Sequence, residues 1–416
     1  MALELAAGPP AASFKRRTVH AMRRMVTGRG RLALGSALAA AIVVVAAGTV
    51  LLISRSSGGA DGTWHLADTH GISAAPEAVA CPTSTNCWVV GWDRVEHLSG
   101  GAWTGTPLPA LGGEQGAVLF GVACPTPSEC WGVGQDYTTE QIVIGHEMGD
   151  AWTLIRGAGD VTQPEQLNAI ACVGPADCWA VGDVGPIDSS RFQPLIEHYS
   201  GTGWSVVPSP DPGSGGDLTA VSCPTATECW AVGTSGGEGD GGSGESWTSP
   251  LIEHYEGDTW TVATTPGIGA GGLTGVACSN SNGCWAVGHS GWGSGAQPLV
   301  EHGVERSWSV VGSPSLSGPD GAVLSSVACT APGACWAVGE LPPTVQRGGS
   351  LGGPTSGPTE VLPPVIEGNA GGGWSVVVSP QIPGGSGSLT AVTCVASRCW
   401  AIGSTLTGGF VAESTT

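Results

Sequence analysis

Fourteen cysteines, arranged in seven pairs, are the residues of this chain whose type and spacing most clearly suggest chemistry. Each pair lies in a phrase such as CPTATECWAVG, in which a tryptophan follows the second cysteine. A metal centre, a redox centre and a structural disulfide all use paired cysteines. Structural zinc takes four ligands, and seven pairs cannot be shared evenly. A redox centre takes one tuned pair, commonly Cys-x-x-Cys. The repetition therefore favours disulfides, and it indicates neither a metal site nor a cofactor.

The predicted disulfides join the two cysteines within each phrase. If the phrase is a β-hairpin, its cysteines face each other on antiparallel strands roughly 4.5–5.5 Å apart, which is within reach of a disulfide. The pairs are Cys81–Cys87, Cys124–Cys130, Cys172–Cys178, Cys223–Cys229, Cys278–Cys284, Cys329–Cys335 and Cys394–Cys399. The adjacent tryptophans, such as Trp230, recur in every unit and are predicted to pack between units.

A Glu-His dipeptide is the second motif that could carry chemistry. It occurs as Glu96-His97, Glu197-His198, Glu253-His254 and Glu301-His302, with His146 in the equivalent place. Neighbours on a strand point to opposite faces, so the two side chains would not act together. Copies in separate units would also lie too far apart to share a metal. We therefore predict that these residues are structural, with hydrogen bonds between units.

The units that carry these motifs repeat about every 50 residues and each contains four short strand-like runs. The runs are rich in Val, Ile and Trp and are bounded by Gly, Pro and Ser, which is typical of strands. Seven such units predict an all-β fold, a seven-bladed β-propeller spanning 63–416. The last unit lacks its tryptophan strand, and an orphan strand, TWHLAD, precedes the first unit. We expect this N-terminal strand to complete the last blade and close the ring.

The N-terminal region has the pattern of a membrane anchor. Residues 32–54 form an uncharged apolar run of 23 residues, long enough to span a bilayer, and seven basic residues precede it. The positive-inside rule places residues 1–31, a basic segment, in the cytoplasm and exports the rest of the chain after a short linker, 55–62. The sequence thus predicts a single-pass cell-membrane protein with an extracytoplasmic C-terminal domain. A cleaved signal peptide is the alternative, although its apolar core would be shorter.

The charge of the exported part limits its partners. Beyond Arg55, six arginines stand against 33 acidic residues, a net charge of −27. Nucleic-acid binding needs a basic surface, so nucleic acid is excluded as a partner. Oxidising conditions outside the cytoplasm also suit the predicted disulfides.

These repeats resemble those of exported β-propeller proteins of high-GC bacteria. The resemblance rests on Cys-Pro-Ser/Thr…Cys-x-Ala-Val-Gly followed by Gly-x-x-Trp-Ser-Val-Val-x-Ser-Pro, and it covers residues 61–416. The Gly-x-x-Trp portion, as in Gly201–Trp204, is distantly similar to the Asp-box (BNR) repeat, although the Ser-x-Asp-x-Gly of that repeat is missing. The resemblance implies a propeller fold and brings no catalytic residues with it.

The function predicted from these features is non-enzymatic binding or scaffolding for an envelope protein, peptide or glycan. Loops between the second and third strands vary most in length, so the face that carries them, with the connections between blades, is the predicted outward binding face. Trp247 and Trp292 lie on these loops, outside the repeat pattern, and are the predicted contact residues. The alternative is a glycan-active hydrolase or lyase with carboxylates near the propeller axis.

Overall fold

A computed structural model shows the seven-bladed all-β propeller. It describes residues 63–415 except for 68–71, 73–74, 112–115, 150, 161, 186–191, 211, 237–247, 281–282, 292–294, 315–321, 332, 342–363, 372, 383–386 and 406–407. The predicted anchor at 32–54 lies outside these residues. Within the part that is described, no helix has the length and apolar character needed to cross a membrane.

The strands form seven antiparallel four-stranded sheets, one per blade, and the first six blades are each made of consecutive strands. Blade 1 holds β2 (Pro76–Thr83), β3 (Asn86–Gly91), β4 (Arg94–Ser99) and β5 (Ala102–Pro107). Blade 2 holds β6 (Ala117–Thr126), β7 (Glu129–Asp136), β8 (Gln141–Met148) and β9 (Ala151–Arg156). Blade 3 holds β10 (Glu165–Gly174), β11 (Asp177–Val184), β12 (Gln193–Tyr199) and β13 (Trp204–Val207). Blade 4 holds β14 (Gly216–Thr225), β15 (Glu228–Ser235), β16 (Ser249–Glu256) and β17 (Thr259–Val262).

The remaining three blades include the one that joins the two ends of the domain. Blade 5 holds β18 (Gly271–Asn280), β19 (Gly283–Ser290), β20 (Gln297–Val304) and β21 (Ser307–Val311). Blade 6 holds β22 (Val323–Ala331), β23 (Ala334–Glu340), β24 (Val365–Ala370) and β25 (Trp374–Val377). Blade 7 holds β26 (Gly387–Val395), β27 (Arg398–Thr405) and β28 (Gly408–Thr415), and its fourth strand is β1 (Thr63–Leu66). In β1, Trp64 lies opposite Ser414 and its buried ring packs edge-on against Trp336 of blade 6.

The seven predicted disulfides are confirmed. All fourteen cysteines are bonded in the predicted pairs, each bridging the first hairpin of its blade. Cys172 lies directly opposite Cys178, and their Cα atoms are 4.0 Å apart, closer than the expected range. The shorter separation fits a pair without mutual backbone hydrogen bonds, the arrangement that brings side chains closest.

Seven apolar clusters between neighbouring blades form the core, one at each blade interface. The tryptophan after each second cysteine lies in these clusters, as predicted. Trp230 of blade 4, for example, meets Trp308 of blade 5 edge-on at 5.3 Å between ring centroids. The glycine that ends each Ala-Val-Gly run is required by close packing. A Cβ on Gly182 would collide with the backbone carbonyl oxygen of Gln166 on the adjacent strand.

Candidate functional site

The Glu-His residues lie on the third strand of each blade and are built into the structure rather than exposed to a substrate. The five glutamates at this position are buried, each at most 2% exposed: Glu96, Glu197, Glu253, Glu301 and Glu367. Sequence analysis had not included Glu367, because a glycine follows it instead of histidine. No substrate reaches carboxylates enclosed in this way, so the motif does not form an open catalytic site.

Three of the buried glutamates bond to the neighbouring blade. Glu253 of blade 4 accepts hydrogen bonds from Ser209 Oγ, which follows the fourth strand of blade 3, at 3.1 and 3.0 Å. Glu367 accepts the equivalent bonds from Ser313, and Glu197 accepts one from the backbone N–H of Ala158 at 2.9 Å. The predicted structural role between blades is therefore confirmed for Glu197 and Glu253, and Glu367, which the prediction did not include, has the same role.

Burial also changes the protonation of these glutamates. Desolvation raises the pKa of Glu253 to about 8, and the hydrogen bonds from Ser209 only partly oppose it. The pKa values of Glu197, Glu301 and Glu367 are raised to about 7 by the same cause. Near neutral pH, these glutamates are thus partly protonated members of the blade interfaces.

The histidines of the motif point to the other face of the strand. Each stacks on the tryptophan that follows the second cysteine of its own blade. His97 stacks on Trp88 with 3.9 Å between ring centroids and an interplanar angle of 4°. Its Nε2 lies 3.0 Å from Asn86 Oδ1, at the start of the second strand. In blades 2 and 3 the partner is an acid, with His198 Nε2 lying 2.8 Å from Asp177 Oδ1. These contacts orient the histidine within its blade.

Both predicted contact residues, Trp247 and Trp292, lie outside the described residues. Most of the two longest loops, which span 234–249 and 340–364, is also outside them. The aromatic side chains that the structure does place on the predicted binding face lie elsewhere, at the inner part of blades 1 and 2.

A cluster of three aromatic residues, Trp92, Phe120 and Tyr137, forms this candidate site, which we call the aromatic patch. Trp92 stacks on Tyr137 with 4.9 Å between ring centroids and an interplanar angle of 12°. Phe120 meets Tyr137 edge-on at 6.4 Å. All three side chains are partly exposed. Amphipathic rings gathered at one place on a surface are the usual anchors of protein interfaces.

Local structure holds the patch in place. Trp92 Nε1 donates a hydrogen bond to Glu77 Oε1 at 3.2 Å, which fixes the indole. Tyr137 begins the loop between the second and third strands of blade 2, and its backbone N–H bonds to the carbonyl of Gly116 at 3.0 Å. Asp136 accepts a further bond from the backbone N–H of Thr138 at 2.8 Å, which closes the turn. The rings are therefore presented by strand ends rather than by a long loop.

The patch departs from the repeat at a position where other blades use a polar residue. Phe120 occupies a β-bulge in the first strand, between Leu119 and Gly121. At the same bulge in blades 4 and 5, Thr219 and Thr274 donate hydrogen bonds to a carbonyl of the next blade at 2.8 and 2.6 Å. Phenylalanine cannot make this bond, so its presence is not explained by the packing of the blades. Alignment of the seven units by their bulges would have revealed this exception from sequence alone.

Trp92 is a similar exception. It follows the glycine that ends the second strand of blade 1, a position held in the other blades by Gln135, Asp183, Thr234, His289, Glu340 and Ser404. Asp183 at this position is buried and accepts a hydrogen bond from Gln166 at 2.7 Å. Asp183 accepts a second hydrogen bond from Asn168 at 3.2 Å, so it is engaged within its own blade.

Comparisons with solved structures show which proteins share this fold. A structure of YCF48 bound to D1 peptide matches with a TM-score of 0.52 and 12% identity, covering 85% of this chain and 97% of that one. The WD40 β-propeller domain of Doa1 gives the same four values. A chain of the mitotic checkpoint complex matches with a TM-score of 0.52 and 7% identity, covering 92% of this chain and 99% of that one.

Comparison with protein-family models and with curated proteins gave no match. At these identities, the structural matches establish the β-propeller fold, which many unrelated functions share.

Proposed function

We propose that this protein is a membrane-anchored extracytoplasmic propeller that binds a protein or peptide through the aromatic patch. The observation that carries the proposal is the convergence of Trp92, Phe120 and Tyr137, because Trp92 and Phe120 stand at positions where the other blades have polar residues. The likeness to YCF48, whose structure holds a D1 peptide, and to a component of the mitotic checkpoint complex supports a protein or peptide partner.

The chemistry of the patch fits a peptide with an apolar side chain. Two stacked rings and one edge-on ring offer apolar area with little side-chain entropy to lose on binding. The acidic Glu77 and Asp136 border the rings, and the domain as a whole is strongly acidic. A partner with basic residues around an apolar anchor therefore matches the patch best.

Replacement of the patch tests this function. We expect the variant W92T/F120T/Y137S, which installs the kind of residue found in other blades, to bind its envelope partner at least about 30-fold more weakly, because hot-spot residues contribute 2 kcal/mol or more. The full chain, purified in mild detergent, would capture partners from an envelope extract. The affinity of each variant for the purified partner would then be measured by calorimetry.

The matched control removes three exposed apolar side chains from outer strands, Val206, Val310 and Val376, by substitution with threonine. It should bind like the unchanged protein. Equal loss of binding in the patch variant and in the control would contradict the proposal, as would a patch variant that binds normally.

The membrane anchor at 32–54 and the cytoplasmic position of residues 1–31 belong to the same proposal. They are supported by the uncharged run of 23 residues and by the basic residues that precede it. Closure of the ring by β1 is supported by its pairing with β28 and would place the propeller directly after the linker 55–62.

Membranes washed with alkaline carbonate provide the test of the anchor, because the wash removes peripheral proteins. We expect the chain to remain in the membrane with its full mass of 41.4 kDa. A shortened chain in the soluble fraction would indicate a cleaved signal peptide instead.

A further inference from the structure

A cleft between blades 5 and 6, on the face that carries the cysteine hairpins, is a second departure from the repeat. Its volume is about 520 Å³, within the range of small-molecule sites. Asn280, Trp285, His302 and Asn369 contribute side chains to its wall, and Gly283 and Gly333 are among the small residues that complete it. It lies on the opposite face from the aromatic patch.

Blades 3 and 4 carry a tyrosine at the position that faces such a cleft, and blade 6 does not. Tyr199 of blade 3 covers Trp131 of blade 2, and Tyr255 of blade 4 covers Trp179 of blade 3, with ring centroids 4.6 and 4.5 Å apart. Tyr199 lies opposite Cys178, and the residue in the same register of blade 6 is Asn369, opposite Cys335.

The tryptophan at this blade interface, Trp285, is more accessible to solvent than its counterparts. Trp285 is 8% exposed, whereas the six equivalent tryptophans are 1–3% exposed: Trp88, Trp131, Trp179, Trp230, Trp336 and Trp400. Part of the indole ring of Trp285 is therefore accessible from the cleft, whereas the equivalent rings are buried at the other blade interfaces.

His302 lacks the partner that its counterparts have. In blades 2 and 3 the stacked histidine bonds to Glu129 or Asp177 at the start of the second strand, but blade 5 has Gly283 there. His302 still stacks on Trp285, with 4.2 Å between ring centroids, and its ring nitrogens make no hydrogen bond to the described residues. Desolvation lowers its pKa, so near neutral pH the ring is uncharged and has one donor and one acceptor.

Asn369 supplies an unpartnered donor. Asn369 is only 3% exposed, and its Oδ1 accepts a hydrogen bond from the backbone N–H of Gly371 at 2.8 Å. This bond directs Nδ2 away from Gly371, and Nδ2 makes no hydrogen bond to any residue that the structure describes. Nδ2 can therefore donate a hydrogen bond to an acceptor of a ligand in the cleft.

We propose that this cleft binds a neutral pyranose unit of a glycan. No charged side chain lines it among the residues that the structure describes, which argues against an anionic or cationic ligand. A sugar ring combines an apolar C–H face, which suits the indole of Trp285, with hydroxyl groups that both donate and accept hydrogen bonds. Asn369 Nδ2 donates to such a hydroxyl, and the neutral His302 ring can donate or accept.

The probes are the methyl glycosides of glucose, galactose, mannose and N-acetylglucosamine, each titrated into the full chain in mild detergent. Saturation-transfer NMR detects weak binding, and calorimetry gives the affinity. We expect at least one sugar to bind. N369A should weaken it about 10-fold through the loss of one hydrogen bond, and N369Y, which introduces the large ring that blades 3 and 4 have at this position, should abolish binding.

The control A226Y adds a tyrosine to the exposed hairpin of blade 4 and should bind sugar normally. The patch variant W92T/F120T/Y137S should also bind sugar normally, which separates this proposal from the proposed protein-binding function. Each sugar is tested from 50-fold the protein concentration up to the millimolar range. If none of the four sugars binds in this range, the proposal is overturned. Undiminished binding by N369Y also overturns it, as does selective binding of a neutral tripeptide such as Gly-Pro-Gly in place of the sugars.

Discussion

Reduction of all seven disulfides is expected to lower the thermal midpoint of the propeller by about 20 °C. A disulfide that closes a loop of six or seven residues stabilises a fold by about 2 kcal/mol. Seven of them approach about 15 kcal/mol, comparable with the whole stability of a typical domain. For a domain of this size, the entropy of unfolding converts that loss into a shift of about 20 °C. The shift in thermal midpoint is measured by calorimetry on two samples. One is the oxidised protein, and the other is protein that has been reduced in denaturant and refolded in the presence of reductant.

Removal of a single disulfide provides the control. The variant C223A/C229A should lose only about 2–4 °C, because its neighbours keep their own disulfides and alanine fits the buried site of Cys229. Mass spectrometry after alkylation verifies that fourteen thiols are free in the reduced sample. A midpoint within 3 °C of the oxidised value would show that the hairpins do not depend on their disulfides.

The disulfides and the blades could be predicted from sequence because each is specified locally and repeated. The phrase CPTATECWAVG contains both strands of a hairpin and its disulfide, so local spacing determines the pairing. The packing of Trp230 between blades followed from its recurrence in every unit. Repetition identifies what the fold requires, since a feature that every blade needs appears in every blade.

The candidate sites were missed because they are exceptions to the repeat. Trp92 belongs to blade 1, whereas Phe120 and Tyr137 belong to blade 2, so only the neighbouring positions of the two blades bring the three rings together. The cleft depends on single departures from the repeat, such as Gly283, which stands where blades 2 and 3 have an acid that bonds to the stacked histidine. A search for aromatic residues on long loops instead selected Trp247 and Trp292. Comparison of the units position by position is the signal that would have identified both sites.

The buried glutamates also illustrate what sequence cannot give. The sequence predicted a structural role for the Glu-His residues, but it gave neither the burial of the glutamates nor their partners. Glu253 is fully enclosed, and only the structure shows that its partner is Ser209 of the preceding blade. The protonation of such a group depends on desolvation by residues far away in sequence.

Between pH 6.5 and pH 9, the free energy of unfolding is expected to fall by about 4 kcal/mol. Burial raises the pKa of Glu253 to about 8 and those of Glu197, Glu301 and Glu367 to about 7, from an ordinary value of 4.5. The folded protein therefore holds protons that the unfolded chain has already released. Their contribution to stability is complete below about pH 4.5 and is lost as the pH rises through 7 and 8. Urea unfolding at four pH values across this window measures the loss.

The window begins at pH 6.5 because histidines act in the opposite direction below it. Desolvation lowers the pKa values of His254, His289 and His302, so the unfolded chain takes up protons first as the pH falls through 6.5. Their contribution is therefore lost on acidification.

The variant E253Q separates the glutamate effect from other sources of pH dependence. Glutamine keeps an oxygen that accepts the hydrogen bond from Ser209 but carries no titrating proton, so nearly half of the loss between pH 6.5 and pH 9 should disappear. The control E256Q removes an exposed carboxylate from the same strand, whose pKa is lowered by its hydrogen bond with Arg306. Because that carboxylate is ionised throughout the window, E256Q should leave the slope unchanged. If the free energy of unfolding falls equally with pH in E253Q and in the unchanged protein, Glu253 is already ionised at pH 6.5. Water would then hydrate its carboxylate in the folded protein.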